Sequence, residues 1–375
     1  MSPAGGATVV TQGCRSNLAE ADALARRHPA GATVINSCAV TAQAVRDARA
    51  AARRALAGGG PVIVTGCAAA VAPDRFADLP VRLVPPADKR GGGWGSTWRS
   101  RAFLAVQDGC DHACTFCVTR LARGPARARP LASVLAEAER LTGLGCTEIV
   151  LTGVDLASWA DGRRRLGDLV QALLARLSDL PRLRLSSLDP AAVDPALVES
   201  FAEPRLMPQL HLSLQSGDPL ILKRMRRRHA PADAERLVAR VRTVRPEVAV
   251  GADFIAGFPT EGEEAHRATL AHADALGLVQ AHVFPFSPRP GTAAARMPQV
   301  PAGVARARAA ALRAHVAARR LCWLAGRIGR PVEVISEGTR GIAPEGHHVR
   351  LARPHPRGAR VMVTPARLAG GELCE

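Results

Sequence analysis

Nine cysteines in 375 residues sort into two trios and three singles. The first trio, Cys110, Cys114 and Cys117, reads C-x3-C-x2-C. Three thiolates on so tight a loop can hold three irons of a cubane cluster and leave the fourth iron open to a small molecule. The ordinary ferredoxin pattern supplies a fourth cysteine instead. A zinc site that recruits His112 is the alternative. Zinc knuckles, however, pair C-x2-C with a second such element, and none lies nearby. The second trio is dispersed, with Cys14 in TQGC, Cys38 in INSC and Cys67 in VTGC. Cys146, Cys322 and Cys374 share no spacing and read as structural.

The dispersed trio makes one site only if three strand ends converge. Short β-branched strands are predicted at 7–10, 33–36 and 62–65, with helices at 16–28 and 41–56 between them. Ser16 and Thr41 are suitable N-caps, and Gly58-Gly59-Gly60 is a stop. This alternation implies a small parallel sheet, whose strand C-termini open onto a common crevice. Cys14, Cys38 and Cys67 each follow one of these strands, so their thiols are expected to meet. The plain alternative is three small buried hydrophobes.

From residue 100 the alternation resumes on a larger scale. Strands are predicted at 102–107, 147–152, 183–187, 210–214, 248–255 and 279–284. Helices are predicted at 133–142, 166–177, 194–201, 231–244 and 263–276, with Asp194-Pro195 as a cap and first turn. Six βα units fall short of the eight of a closed barrel, so the expectation is an open partial barrel that admits a large substrate. The compact trio follows the first of these strands, on the face where α/β barrels place their chemistry. A basic helix at 304–323 and three short strands at 332–335, 348–351 and 360–363 complete the chain. Pro85-Pro86 and Gly91-Gly92-Gly93-Trp94-Gly95 read as a linker.

Fifty Lys and Arg against 33 Asp and Glu leave a formal charge of +17. Such a surplus favours a polyanionic partner. A GC-rich genome that writes Arg and Ala freely is the bland account. Lys223, Arg224, Arg226, Arg227 and Arg228 form one basic knot, and residues 301–375 hold 13 arginines against 5 glutamates. Tyrosine is absent and Phe and Trp number only 8 and 4, so phosphate contacts rather than base stacking would carry nucleic-acid affinity. Apolar residues at 47% exclude a wholly disordered chain. No apolar stretch is long enough for a membrane span and no export signal opens the chain, which places it in the cytoplasm. An odd cysteine count there argues for thiols used as ligands rather than disulfides.

At these residues the chain becomes recognisable. C-x3-C-x2-C with Phe116 before the last cysteine resembles the radical S-adenosylmethionine superfamily. TQGCRSN, INSCAVT, VTGCA, QDGCDHACTFC, RLARG, EIVLTGVD, LRLSSLDP, HLSLQSGDPLILKRMRRRH, GADFIAGFPTE and HVFPFSPRPGT resemble its methylthiotransferase branch. The likeness runs over about residues 7–323. TQGCRSN and INSCAVT resemble the enzymes acting on N6-threonylcarbamoyladenosine beside the tRNA anticodon. Isopentenyladenosine in tRNA, or an aspartate of a ribosomal protein, is the alternative target within the branch. A non-catalytic RNA-binding protein with zinc or redox-sensing clusters is the alternative from another class.

The resemblance implies an α/β chain of three domains and a linker. These are an N-terminal cluster domain at 1–88, a linker at 89–99, a radical SAM partial (βα)6 barrel at 100–323 and a short TRAM-like β domain at 324–375. The last is compressed between Arg330 and Leu368. The resemblance further implies two [4Fe-4S] clusters, on Cys110, Cys114 and Cys117 and on Cys14, Cys38 and Cys67. The first would bind S-adenosylmethionine and deliver one electron to it, giving a 5′-deoxyadenosyl radical that takes hydrogen from C2 of the modified adenine. The second would carry the sulfur, which a second S-adenosylmethionine methylates. Phe116, Thr152 and Gly153 of the turn ending at Asp155, Gln215 and Arg226 are expected around the cofactor, Arg226 on its carboxylate. The turn, Gln215 and Arg226 also have structural readings, as a tight turn, a strand-end cap and a phosphate contact. Asn17 is expected to cap the first helix or to support the cluster. The implied partners are the tRNA anticodon stem-loop, a reductant protein and a sulfur donor, with no membrane.

Overall fold

The computed structural model describes residues 6–86, 95–98 and 101–375. Among the described residues four sheets follow one another along the chain, the middle two forming the barrel. The first is built from β1 (Thr8–Thr11), β2 (Thr33–Ser37), β3 (Val62–Gly66) and β4 (Arg82–Val84), parallel and in that order. Between them run α1 (Arg15–Ala19), α2 (Ala21–Arg27), α3 (Ala42–Leu56) and α4 (Cys67–Val71). Thr41 caps α3, its hydroxyl accepting from Ala44 N at 3.1 Å. The single helix expected at 16–28 is two, joined at Glu20, and Cys14 rather than Ser16 holds the N-cap position. The break has a packing cause. Helix α2 bridges β1 and β2 of its own sheet and the strand Gly95–Trp98, whereas α1 turns onto the strands Arg101–Asp108 and Glu148–Gly153 inside the barrel.

The barrel strands are β6 (Arg101–Asp108), β8 (Glu148–Gly153), β9 (Arg182–Leu185), β10 (Gln209–Gln215), β11 (Ala249–Ala256) and β12 (Gln280–Pro285), preceded by β5 (Gly95–Trp98), with β7 (Arg127–Ala128) off the path. The six run parallel. Strands β9 and β10 meet only through their extensions, where Leu188 N donates to His211 O at 2.9 Å and Ser213 N to Leu188 O at 2.9 Å. The helices are α5 (Thr119–Arg123), α6 (Leu131–Gly143), α7 (Leu166–Arg176), α8 (Pro195–Ser200), α9 (Pro219–Arg224), α10 (Pro231–Val244) and α11 (Glu263–Ala275). Asp194 caps α8 through Leu197 N at 2.9 Å. The linker expected at 89–99 lies mostly outside the described residues. Within it, Gly95–Trp98 is a strand paired antiparallel with β6.

Alternation along the strands sorts two environments. Leu210, Leu212 and Leu214 of β10 and Val250, Ala252 and Phe254 of β11 join the apolar layer under the helices. The intervening positions face the barrel interior, which is polar where a closed barrel would be filled with aliphatic side chains. Two protein elements fill much of it. From one end, Leu18 and Ala19 of α1 pack on Phe103 and Ala105 of β6 and Val150 of β8. At the other end sits the C-terminal sheet, reached through the long helix α12 (Ala302–Ala325).

That sheet has six strands where three were expected: β13 (Val332–Ser336), β14 (Arg340–Ile342), β15 (His348–Arg350), β16 (Arg360–Val363), β17 (Arg367–Ala369) and β18 (Glu372–Cys374), in the order β16-β13-β14-β15-β18-β17. Strands β14, β17 and β18 have three residues each and no β-branched run, so they lack a local signal. Helix α12 is less free than its charge suggests. Arg308 binds Glu261, Arg313 the carbonyl of Val283, Arg319 the carboxylate of Asp274 and Arg320 the carbonyl of Val279. Among the described residues no helix is long and apolar enough to cross a membrane.

At the end of the barrel remote from the cysteine loops, Arg184 binds both oxygens of the fully buried Glu148, at 2.8 and 3.0 Å. Its remaining donors reach Gln209 Oε1 at 2.6 Å and Pro344 O at 2.8 Å. Arg182 donates to Ile342 O at 2.8 Å. These two arginines dock the C-terminal sheet. Glu148→Ala would strand Arg184 without its counter-ion, so unfolding free energy should fall by about 3–5 kcal/mol. Denaturant titration measures this, and a loss below about 1 kcal/mol would show that the pair does not hold the barrel floor.

Candidate active site: two thiol trios across one seam

The compact trio lies on the loop that leaves β6. Gly109 turns it at φ +71°, and a Cβ there would stand 1.9 Å from Pro125 O, so only glycine fits. Cys110 N donates to Gly124 O at 3.1 Å and closes the loop. Its middle is pinned at Thr115, whose N reaches Met225 O at 3.1 Å and whose hydroxyl reaches Arg224 O at 2.9 Å. Phe116 packs edge-on against Phe258 at 6.4 Å, within an apolar knot that includes Ile221 and Met225. It therefore anchors the loop.

Donors converge on the sulfurs. His112 N lies 3.4 Å from Cys110 Sγ, Thr119 N 3.4 Å from Cys117 Sγ, and Arg227 Nη1 3.5 Å from Cys114 Sγ. Burial pushes the Cys110 thiol up to about 11 and raises Cys117 as well. Burial acts on Cys114 in the same sense, but His112 and Arg227 outweigh it and hold that thiol below its ordinary value. His112 is itself raised to about 9 by Asp155, 3.0 Å away. Asp189 carries its charge against the effect of burial because His229 and Arg227 hold its carboxyl far below the usual range.

The expected cofactor contacts gather unevenly around this loop. Thr152 is buried at the end of β8. Gly153 packs against Gln107, whose Oε1 accepts from Asp155 N at 2.8 Å while its Nε2 donates to Gly109 O at 2.8 Å. Gln107 thus ties the Thr152–Asp155 turn to the cysteine loop, a role its place in QDGC hinted at only by proximity. Gln215 ends β10 at φ +71°, just after a register shift. Arg226 is exposed and left-handed at φ +56°. That geometry turns the next side chain inward, so the cation on Cys114 is Arg227. It also binds Asp189 at 3.2 Å and Ser213 O at 2.8 Å.

The dispersed trio occupies the C-terminal ends of β1, β2 and β3. Cys14 precedes α1, Cys38 follows β2 and Cys67 begins α4. Gly13 sits at φ +81°, and a Cβ on it would stand 2.6 Å from Cys38 Sγ, so the loops of Cys14 and Cys38 touch. Burial raises the Cys38 thiol to about 11, and the neighbouring Cys14 and Cys67 push in the same direction. Asn17 is no cap. Its Nδ2 donates to Gln12 O at 2.8 Å and Ser37 O at 3.2 Å, tying the two loop ends together.

One side chain joins the trios. Arg123, at the end of α5, is 2% exposed and donates to Asp108 Oδ1 at 2.8 Å, Glu20 Oε1 at 3.0 Å and Asn17 Oδ1 at 2.6 Å. Burial opposes its charge, but Glu20, Cys67, Cys14 and Asp108 together keep it firmly protonated. Helix α4, which begins at Cys67, packs on α5, which follows Cys117. Arg289 adds a second tie, to Ala39 O at 3.1 Å. Both trios therefore border one seam.

Single-ion sites are narrower than either trio. Among the described residues, the groups whose ligand atoms close within 4.8 Å are Cys110 with His112 and Asp155, and His211 with Asp253 and His282. An ion in the first group would leave Cys114 and Cys117 unused. A multi-iron cluster uses all three thiols, and the donors to sulfur suit one.

Residues 104–273 match the radical SAM superfamily. The chain is 35% identical over 366 residues to a threonylcarbamoyladenosine tRNA methylthiotransferase of Rickettsia prowazekii, covering 88% of this chain and 87% of that protein. It is 42% identical over 237 residues to a tRNA-2-methylthio-N(6)-dimethylallyladenosine synthase of Cereibacter sphaeroides, covering 63% of this chain and 54% of that protein. A radical S-adenosylmethionine methyltransferase from Kitasatospora setae shares the fold, with a TM-score of 0.57 at 16% identity over 71% of this chain and 66% of that one.

Arg123→Leu would remove the buried cation between Glu20 and Asp108, leaving Arg127 at 4.0 Å from Asp108 as a weaker substitute. The expected loss is about 3 kcal/mol of unfolding free energy. Denaturant unfolding of the metal-free protein reads it directly, and an unchanged midpoint would show the bridge to be dispensable.

Proposed function

This chain belongs to the radical S-adenosylmethionine methylthiotransferase family, and we infer that it adds a methylthio group to C2 of N6-threonylcarbamoyladenosine next to the anticodon of tRNA. The observation that carries the reading is the pairing of two cysteine trios across one seam, in a chain alike over nearly its full length to a threonylcarbamoyladenosine tRNA methylthiotransferase. Clusters on Cys110, Cys114 and Cys117 and on Cys14, Cys38 and Cys67 would supply, respectively, the electron that cleaves S-adenosylmethionine and the sulfur that is inserted.

The chain's own residues bind and orient. Arg227 sets a fixed positive charge against Cys114, and the exposed Arg226 beside it is the residue for the methionyl carboxylate. Gln107 holds the Thr152–Asp155 turn against the loop, so Thr152 and Gly153 present the strand end to the methionyl group. Gln215 borders the same face, and Phe116 keeps the loop from shifting. The floor of the barrel is closed by the C-terminal sheet, so the target base enters from the seam. Exposed Arg353, Arg357 and Arg367 on the C-terminal sheet offer phosphate contacts to the stem-loop. A reductant protein and a sulfur donor complete the cycle in this reading. So does the division into cluster-bearing sheet, barrel and C-terminal sheet.

Mass spectrometry of tRNA nucleosides tests it. A strain lacking the chain should lose the methylthio derivative of N6-threonylcarbamoyladenosine, and the gene should restore it unless Cys38→Ala or Cys114→Ala is present. Loss of methylthiolated isopentenyladenosine instead would move the target to the second relative's substrate, and unchanged nucleosides would exclude tRNA. Anaerobically purified protein should be brown with about eight irons per chain, whereas colourless zinc protein would overturn the radical chemistry.

A further inference from the structure

Among the described residues, the barrel interior carries a cation, Arg15, that no protein group pairs. Arg15, the residue after Cys14, enters the barrel on α1 and feels the charges of Arg184, Arg101, Glu148 and Asp253. Among the described residues no hydrogen bond and no ion pair within 4.0 Å reaches its guanidinium. The other charges around it are matched. Glu148 takes Arg184 at 2.8 Å and Arg101 at 3.8 Å, and Glu337 takes Arg101 at 3.7 Å. Glu333 takes Arg182 at 3.5 Å.

Asp253 is occupied too. Its Oδ1 lies 3.0 Å from both His211 Nε2 and His282 Nδ1, and its Oδ2 accepts from Ser187 Oγ at 3.2 Å. A single ion in that triad would face the guanidinium of Arg15 at close quarters, so the three serve better as a fixed hydrogen-bonded wall.

Arg15 is half-buried, so its guanidinium remains reachable from outside. An unpaired guanidinium in such surroundings is unfavourable. An anion brought from outside removes the penalty. The methionyl carboxylate belongs at the cysteine loop, at the other end of the strands from the Glu148 and Arg184 that Arg15 senses.

We propose that Arg15 receives the threonine carboxylate of the target nucleoside, and that the wall of Asp253, His211 and His282 lines the same subsite. The inference rests on the threonylcarbamoyladenosine reading above. C2 and N6 point to different sides of the purine ring, so a base whose C2 faces the cysteine loops can send its N6 substituent deeper. Arg15 offers the paired donors that a carboxylate takes in bidentate fashion. An isopentenyl group in its place would bury the guanidinium with no partner.

The test uses the reconstituted full chain and two synthetic anticodon stem-loops, one with N6-threonylcarbamoyladenosine and one with its threonine carboxamide. Wild type should prefer the acid by about 100-fold in kcat/KM and show a similar ratio in Kd, the size of a charged hydrogen-bond pair. Arg15→Gln should reduce both ratios to within about threefold, and Arg15→Lys should keep about tenfold. Iron content, measured for each variant, separates this loss from loss of the neighbouring cluster. A full-iron Arg15→Gln enzyme that still prefers the acid as wild type does overturns the assignment. Wild type that modifies both stem-loops equally also overturns it while leaving the proposed function standing. Wild type that modifies neither, but accepts an isopentenyladenosine stem-loop, overturns the function and this subsite together.

Discussion

The guanidinium of Arg123 is the constraint on which the rest of the site depends. Three groups receive it, and each belongs to a different piece of machinery. Asn17 ties loop ends beside Cys14 and Cys38, Glu20 joins the two helices that follow Cys14, and Asp108 ends the strand that launches Cys110. Burying an arginine this completely costs several kcal/mol unless anions and acceptors compensate. Here two carboxylates and an amide do so, and the thiols of Cys14 and Cys67 lie close enough to contribute. Sulfur delivery needs the two trios at a fixed spacing, and a buried, fully bonded guanidinium tolerates little displacement.

Much of this was legible because short-range patterns carried it. The β-branched runs ending at Cys14, Cys38 and Cys67 announced a parallel sheet, and a parallel sheet brings its strand ends to one edge. The compact trio needed only its spacing. The six barrel strands followed from their alternation with helices, to within a residue or two at each end.

What escaped depended on tertiary packing. The division of α1 from α2 at Glu20 has no local breaker, since it arises from two packing partners. The inward turn of Arg227 toward Cys114 depends on a single left-handed residue, Arg226, that no glycine marks. Strands β14, β17 and β18 are too short to show a period. The polar barrel interior was invisible for a related reason. Arg15, Glu148, Arg184, His211 and Asp253 come from separate elements, and only the closed fold makes neighbours of them. Arg123 stood within the quoted RLARG, but nothing in that word says that the side chain points into a seam.

The C-terminal sheet is gripped in an asymmetric way. The barrel supplies the side chains, Arg182 and Arg184, whereas the sheet answers chiefly with main-chain oxygens of Ile342, Ala343 and Pro344. Any amino acid offers such an oxygen. The module can therefore exchange residues along that loop, and with them its outward chemistry, while its seat on the catalytic body stays the same. Surface chemistry can drift on one side of a joint whose other side is held constant.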